Sequence, residues 1–492
     1  MTQTNQKSRK AVKQSGFQVS PVAAGCAVLL ISVAGATHAQ QTGGELVVTG
    51  IRASIENAIA TKRNSDGIVE ALSAEDIGKL PDSTVAESVS RLPGVTAQRN
   101  KSTGRAQSVS VRGMSPDFNG ALLNGREQAS TGDSRGVEFD QFPAELLGSI
   151  VIHKTPEASL VGQGLASTID LRTVRPLDFN KRTFSANVRS QRSGIDSGAG
   201  EGKGDRQSFS YVDQFADRTL GIALGYTKLK DEGAEQLKFN SWGGWNRDIT
   251  YNGQAVKIPG GFTADTEQST SNREGLMAVV QYKPNKDFET VLDVFSSKGT
   301  FALKKTGLEG AFLENSVYDP AGKLLPGAVV NSAGFVTSGT MDGYKGVVRN
   351  HLESGDDKLD SFGWNTKMKV GDWKAAADIS QSKVSRVSSR YETTAGLPGD
   401  GNKGGRTDTI SWSGFNGTNL ADTLFKTGLS YADRSVIKLT DVDGWSGGPS
   451  SPQAGYVAIP QVTDKVDNVR FSGRRNVEYG PVSSVEIGAN FS

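Results

Sequence analysis

The stretch that decides the fold reads Leu220-Gly-Ile-Ala-Leu-Gly-Tyr-Thr227, and a matching stretch reads Leu276-Met-Ala-Val-Val-Gln-Tyr282. In the first stretch, large apolar side chains at every second position alternate with Gly, Ala and Thr. Successive side chains of a β-strand point to opposite faces, so this period of two predicts strands with one strongly apolar face.

Nine such stretches fill residues 181–492, and the links between them alternate between very short and very long. The short links use residues suited to tight reversals. A β-barrel of the outer membrane has short turns at its periplasmic end and long loops at its outer end, here of about 45 to 80 residues. The pattern therefore predicts antiparallel transmembrane β-barrel strands. The short links are Asp217-Arg218, Pro284-Asn285-Lys286, Gly371-Asp372 and Gly480-Pro481.

A soluble β-sandwich or solenoid is the alternative interpretation of the same alternation. Long connections without secondary structure are uncommon in compact soluble domains, and this favours the barrel.

Residues 1–39 are predicted to be a secretory signal peptide. A basic start precedes a short apolar run from Val22 to Val33, and Thr37-His38-Ala39 offers small residues for cleavage. The only cysteine, Cys26, lies within this segment, where lipidation is the alternative to simple cleavage. Cleavage after Ala39 would remove four positive charges and change the formal net charge from +2 to −2.

The composition argues against several classes of function. An acidic balance gives no reason to expect a nucleic-acid partner. Without cysteine, and with only His153 and His351 as histidines in the mature chain, neither a metal site nor a catalytic residue is predicted. We therefore expect no enzyme and no cofactor.

Residues 53–180 are predicted to form a small α+β domain. Ser54 to Arg63 is expected to be helical, and Thr84-Val-Ala-Glu87 has the spacing of a capping box before a second helix that Pro93-Gly94 ends. Strand-like stretches follow. They are 108–112, 120–123, 149–153 and 167–173.

A short strand-prone segment, Glu45-Leu46-Val47-Val48-Thr49, precedes this domain within residues 40–52. Such a segment near a chain terminus can pair with the sheet edge of another protein. The alternative is an edge strand of the adjacent domain.

The order of these parts resembles a TonB-dependent outer-membrane receptor, with a TonB box at 40–52, a plug domain at 53–180 and a partial barrel at 181–492. The sequences of the matching stretches are most similar to those of the receptor group common in Caulobacter- and Xanthomonas-like bacteria. The matching stretches are Ala74-Glu-Asp-Ile77, Leu80-Pro-Asp82, Val85-Ala-Glu-Ser-Val89, Arg91-Leu-Pro-Gly-Val95, Val109-Ser-Val-Arg-Gly113, Pro116-Asp-Phe-Asn119, Leu123-Asn-Gly-Arg-Glu127, Glu145-Leu146, Ile150-Val-Ile-His-Lys154 and 162–173.

The resemblance implies active uptake through a 22-stranded barrel that the plug occludes. It implies that substrate binds at the outer loops and the plug apex, and that TonB then pairs with Glu45 to Thr49. The inner-membrane complex and its proton motive force would supply the energy to open the plug. The partners implied are TonB, outer-membrane lipid and a small-molecule substrate.

The sequence departs from the family pattern in two respects. Ala166-Ser167 stands where family members usually carry Gly-Gly before the last strand of the plug. Nine strands are fewer than the 22 expected, and an odd, open set would leave unpaired edges in lipid. The sequence is therefore expected to be the front portion of a longer receptor with an incomplete barrel.

The transported substrate is expected to be an oligosaccharide, as is common in this group. Trp242 and Trp245 with Asn246 lie in the first long loop, where indoles can stack on sugar rings and an amide can bind hydroxyl groups. Loop packing or anchoring at the membrane interface is the alternative role for these indoles. At the plug apex, Asp117, Phe118 and Asn119 are candidate substrate contacts. A ferric siderophore is the competing substrate, and binding without transport or an adhesin or phage-receptor role are further alternatives.

Overall fold

The computed structural model describes residues 49–74, 84–99, 105–132, 136–192, 201–242, 245, 247–312, 323–398, 406–415, 423–442 and 451–492. The chain divides into two compact units, residues 1–49 and 50–492. Of the first unit only Thr49 is described, so the predicted signal peptide, Cys26 and Glu45 to Val48 lie outside the described residues.

Residues 49–179 form what we term the N-terminal unit. Its sheet has the order β1-β6-β7-β4-β5, in which only the β4–β7 pair is parallel, and β2 and β3 form a separate antiparallel pair. The elements are α1 (Thr49–Arg63), β1 (Val69–Ser73), α2 (Val85–Val89), β2 (Val95–Arg99), β3 (Ala106–Val111), β4 (Asn119–Leu123), β5 (Arg126–Glu127), β6 (Ser149–His153) and β7 (Ser167–Arg172), with 3₁₀ turns at Pro116–Phe118, Phe139–Gln141, Ala144–Leu146 and Pro176–Asp178.

The two helices differ in length from the sequence prediction. Helix α1 begins at Thr49 rather than Ser54, so Thr49 is helical rather than extended. Helix α2 ends at Val89. Thr84 caps α2 by accepting a hydrogen bond from the Glu87 amide at 3.1 Å, and the Glu87 side chain pairs with Arg99.

In the described part of the chain after Phe179, one antiparallel sheet has twelve strands, and nine of them form a continuous row that we call the wall. Each wall strand pairs with its sequence neighbours in the wall, as expected for an up-and-down barrel, and this confirms the predicted fold class. The wall strands are β8 (Thr183–Arg192), β9 (Lys203–Phe215), β10 (Leu220–Glu232), β14 (Gly261–Asn285), β15 (Phe288–Ala311), β19 (Val347–Val370), β20 (Trp373–Gly396), β25 (Gln461–Tyr479) and β26 (Val482–Phe491).

The prediction of long unstructured loops is wrong for much of their length. Four wall strands, β14, β15, β19 and β20, are 24 or 25 residues long and continue well past the predicted strand ends. The polar outer halves of these strands lack the apolar alternation that marks a lipid-facing segment, so the pattern missed them. Further short strands are β11 (Gln236–Trp242), β12 (Arg247–Tyr251), β13 (Gln254–Ile258), β16 (Lys323–Leu324), β17 (Val329–Val330), β18 (Val336–Tyr344), β21 (Asp408–Ser413), β22 (Leu424–Thr427), β23 (Lys438–Leu439) and β24 (Gly455–Ala458).

Three of the long connections share an aromatic core. Strands β18 and β21 come from different connections and pair directly. The indole groups of Trp245 and Trp412 both donate hydrogen bonds to the carbonyl oxygen of Val336, at 3.0 and 2.9 Å. Trp245 also stacks on Phe415 with ring centroids 3.8 Å apart. The connections at this end therefore pack on one another.

The two faces of the wall have different environments. Large apolar side chains such as Leu276 and Trp364 are 50% and 48% exposed on the outward face. On the inward face, Val279 and Phe295 belong to the same buried core as Leu146 of the N-terminal unit. No helix among the described residues is long and apolar enough to cross a membrane.

A close backbone approach near Ala166-Ser167 occurs at the neighbouring Gly164. A Cβ atom on Gly164 would lie 2.3 Å from the Gly120 nitrogen and 2.5 Å from the Phe118 carbonyl oxygen. Ala166 donates its amide to that same Phe118 carbonyl at 2.8 Å, and Ser167 is buried. Small side chains at 166 and 167 are therefore accommodated, whereas position 164 has no room for a side chain.

Candidate functional site

The N-terminal unit rests on the inward face of the wall, and one half of this contact is apolar. A Cβ atom at Gly225 would lie 2.8 Å from Leu146, and one at Gly275 would lie 2.7 Å from Pro143. Glycine at these wall positions lets the 3₁₀ segment around Leu146 pack against the strand backbone. The contact at these two glycines is therefore close and made by apolar side chains.

The other half of the contact is held by a buried cluster that we call the ionic lock, formed by Arg126, Asp293 and Asp378. Arg126 of β5 donates to both oxygens of Asp378 through Nε at 2.9 and 3.1 Å and to both oxygens of Asp293 through Nη1 at 2.8 and 2.7 Å. The three side chains are 4%, 8% and 6% exposed. A guanidinium fork is suited to such two-sided binding of carboxylates.

Amide side chains complete the ionic lock. Asn124 donates to Asp293 at 3.0 Å and Asn365 donates to Asp378 at 2.9 Å. Burial on its own would lower the pKa of Arg126, but its hydrogen bonds and charge interactions with the two aspartates outweigh this and raise the pKa. Arg126 is therefore fully charged in the folded protein.

A cavity of about 270 Å³ lies between the N-terminal unit and the wall, on the long-loop side of the lock. Its walls combine charged side chains with aromatic rings. The lining residues are Thr84, Arg105, Gln107, Glu138, Phe139, Asp140, Phe142, Pro143, Ala144, Glu145, Arg206, Thr227, Leu229, Ser271, Arg273, Thr300, Phe301, Glu353, Asp357 and Arg386.

Each of the four guanidinium groups in this lining is paired with a carboxylate. Two of the pairs join the N-terminal unit to the wall through a carboxylate at Glu138 or Glu145, and a third joins them through Arg105. The pairs are Arg386–Glu138 at 2.7 Å, Arg206–Glu145 at 2.6 Å, Arg105–Asp231 at 3.3 Å and Arg273–Asp357 at 2.8 Å. The cavity therefore offers charged hydrogen-bonding groups without an uncompensated cation in its described lining.

Asp140 is the exception among the lining carboxylates. Part of the residue reaches the cavity, yet its Oδ1 atom is closed to solvent and has no hydrogen-bond partner among the described residues. Burial raises the pKa of the Asp140 carboxyl above its usual range. This oxygen is an acceptor without a donor at the cavity wall.

The predicted apex residues play different parts in the structure. Phe118 is 44% exposed, and Asp117 accepts a hydrogen bond from the Gly136 amide at 3.2 Å. Asn119 is buried, donates to the Val109 carbonyl at 2.9 Å and accepts from Ser167 at 2.7 Å. Of the three, Asp117 and Phe118 are exposed and Asn119 is buried.

The two tryptophans predicted to act as a pair occupy different places in the structure. Trp242 is the last residue of β11, whereas Trp245 is buried in the aromatic core described above. Asn246 lies outside the described residues. The packing of Trp245 fits the loop-packing alternative, since Phe415 covers one face of its indole.

Sequence reasoning missed the ionic lock. Arg126 lies in the quoted stretch Leu123-Asn-Gly-Arg-Glu127, but its role was not assigned. Asp293 and Asp378 lie on the inward face of strands whose outward faces are apolar. A buried acid at such a position of an alternating strand is the signal that points to an inward partner.

Comparison with known proteins gives a family match in the N-terminal unit. Residues 61–168 match the model of the TonB-dependent Receptor Plug Domain. Solved structures with similar folds include the outer-membrane transporter YddB from Escherichia coli, at 11% identity and a TM-score of 0.34, covering 86% of this chain and 60% of that one. The ferric citrate transporter FecA aligns at 11% identity and a TM-score of 0.31, covering 88% and 78%. The siderophore receptor PirA from Acinetobacter baumannii aligns at 12% identity and a TM-score of 0.29, covering 87% and 75%.

An α/β unit seated by ion pairs on the inward face of an antiparallel strand wall defines a membrane receptor with a plug in its barrel. Residues 61–168 belong to the plug domain of the TonB-dependent receptors, which are β-barrel proteins in the outer membrane of Gram-negative bacteria and not enzymes. The predictions of family, location and absence of enzymatic activity are thus confirmed, and the N-terminal unit is the plug. The chain spans 60% of the length of YddB.

Proposed function

We propose that this receptor carries a neutral oligosaccharide across the outer membrane in a TonB-dependent cycle. The observation that supports this substrate class is the charge balance of the cavity between plug and wall. All four of its described guanidinium groups already have carboxylate partners. A negatively charged iron chelate would have to break these pairs, whereas a sugar hydroxyl can bond to their remaining lone pairs and N–H groups.

The aromatic part of the lining suits the same ligand. The Phe301 ring lies at the cavity with the Arg386 guanidinium 5.8 Å from its centroid. Flat rings beside hydrogen-bonding side chains match the apolar faces and hydroxyl edges of a sugar.

Direct binding distinguishes the two candidate substrates. The intact receptor, purified in detergent, is titrated by calorimetry with a panel of neutral oligosaccharides and a panel of ferric siderophores. Saturable binding of a neutral oligosaccharide supports the proposal. Binding confined to ferric siderophores would replace it with iron uptake.

In the proposed transport cycle, the energised step depends on the pairing of TonB with residues 45–49. In an added strand the backbone supplies the ladder hydrogen bonds, so Val47→Pro should abolish uptake by removing a donor. Val47→Ala keeps that donor and is the matched control, with substrate binding expected to be intact in both variants. Normal uptake by Val47→Pro would show that TonB pairs elsewhere.

A further inference from the structure

The linker that joins the plug to the wall changes its contacts at Arg175. On the plug side, the Thr173 amide donates to the side-chain oxygen of Asn124 at 3.0 Å, and a Cβ atom at Gly148 would lie 3.0 Å from the buried Val174. Arg175 follows, and its Nη1 atom has no hydrogen-bond partner among the described residues. The residues after it contact the wall.

This second part of the linker is a 3₁₀ turn that the wall holds by hydrogen bonds. Gln214 of β9 donates to the Pro176 carbonyl at 2.9 Å. Gln281 of β14 accepts from the Leu177 amide at 3.1 Å, and Arg218 of the β9–β10 turn donates to the Leu177 carbonyl at 3.2 Å. We call these three wall side chains the linker clamp.

The linker clamp is reinforced by close packing. A Cβ atom at Gly221 of β10 would lie 2.9 Å from Leu177 and 3.0 Å from Pro176, so the linker lies directly on the strand backbone. Pro176 is buried, and its ring prevents rotation about its own φ angle. The clamp therefore holds a stiff segment against the wall.

The turn that carries Arg218 is strained. Ala216, Asp217 and Arg218 have φ angles of 50°, 52° and 64°. In this left-handed region a Cβ atom crowds the following carbonyl oxygen, so glycine is the usual residue, as at Gly371 and Gly480 in two other short turns. Such strain persists where surrounding contacts impose it, and it is concentrated at functional positions. Here it accompanies the placement of a guanidinium group on the linker.

We propose that the linker clamp is the fixed point of the moving plug, so that Pro176–Asp178 stays on the wall while the plug turns about the backbone at Val174 and Arg175. This inference rests on the transport cycle proposed above, in which TonB displaces the plug. A fixed point at the short-turn end keeps the displaced plug beside the wall, where the ionic lock can form again. The clamp side chains are thus positioning residues that act through the linker.

The test follows amide hydrogen exchange, residue by residue, in the intact receptor at urea concentrations that release the plug and leave the wall folded. The Thr173 amide should lose protection together with the plug strands β6 and β7. The Leu177 amide should remain protected together with β9 and β10. The measurement needs neither TonB nor a substrate, so the fixed point can fail while the proposed transport function stands.

A variant of the clamp separates its effect from that of the wall. Gln214→Met/Arg218→Met removes two donors to the linker and keeps side chains of similar length. The protection of the Leu177 amide after plug release should fall roughly 30-fold, the effect of two ordinary hydrogen bonds. Gln381→Met/Arg475→Met removes two side-chain donors elsewhere on the wall. This matched control should keep Leu177 protection within about twofold of the wild type.

Three results would overturn the proposal. Loss of Leu177 protection at the same urea concentration as β6 and β7 would show that the linker leaves the wall with the plug. An equal fall of protection in the control variant would show that general loosening of the wall sets the exchange rate. Wild-type protection of Leu177 in Gln214→Met/Arg218→Met would show that these side chains do not hold the linker.

Discussion

Removing the arginine of the ionic lock is the sharpest test of how the plug is held. In Arg126→Met, two aspartates that are 8% and 6% exposed lose their only cationic partner in the lock. Breaking a buried pair in this way costs about 3 to 5 kcal/mol, because it leaves uncompensated charge away from water. We expect the free energy of releasing the plug from the wall to be lower by that amount in the variant than in the wild type.

The assay is urea-induced release of the plug in the intact receptor, followed by protease cleavage within residues 69–172. A triple variant, Arg126→Met/Asp293→Asn/Asp378→Asn, supplies the control. It removes the charge on both sides, while the new amides still offer oxygen atoms to Asn124 and Asn365. Most of the lost free energy should therefore return.

Two results would refute this reasoning. If Arg126→Met lowers the free energy of release by less than about 1 kcal/mol, the lock does not hold the plug, since even an exposed pair can contribute that much. If the triple variant is as unstable as the single one, the loss comes from packing around Arg126 and not from stranded charge.

Three further outcomes follow from the same structure. Gly363→Ala places a Cβ atom 1.9 Å from Arg126 Nη1, so it should lower the urea midpoint of plug release, whereas Gly473→Ala, whose added Cβ atom would have its nearest neighbour at 3.3 Å, should change the midpoint little. Burial raises the pKa of the Asp140 carboxyl, so its stabilising contribution is complete below the ordinary value of about 3.9 and is lost as the pH rises through the raised value; Asp140→Asn should remove that part of the pH dependence of the free energy of unfolding. Trp245→Ala should speed hydrogen exchange in all three connections of the aromatic core, whereas Trp245→Phe should change it little because Trp412 still donates to the shared carbonyl; unchanged exchange in Trp245→Ala would contradict the shared core.

Much of the architecture could be predicted from the sequence because it depends on local chemistry. The alternation in Leu220 to Thr227 fixes which side chains share a face, whatever the rest of the chain does. The Gly371-Asp372 link predicts a tight reversal, and Gly371 indeed has a φ of +60°. The plug stretches were recognisable because each is short and continuous.

The tertiary structure alone decided which of these residues act together. Arg126 meets Asp293 and Asp378 across 167 and 252 residues of sequence, and no local pattern encodes contacts at such separations. The same holds for Trp245, whose indole could equally stack on a sugar or on another ring until the fold of a distant connection placed Phe415 against it. Side-chain alternation is a property of each strand, but the partner of an inward-facing charge depends on strand register and on how the plug is seated.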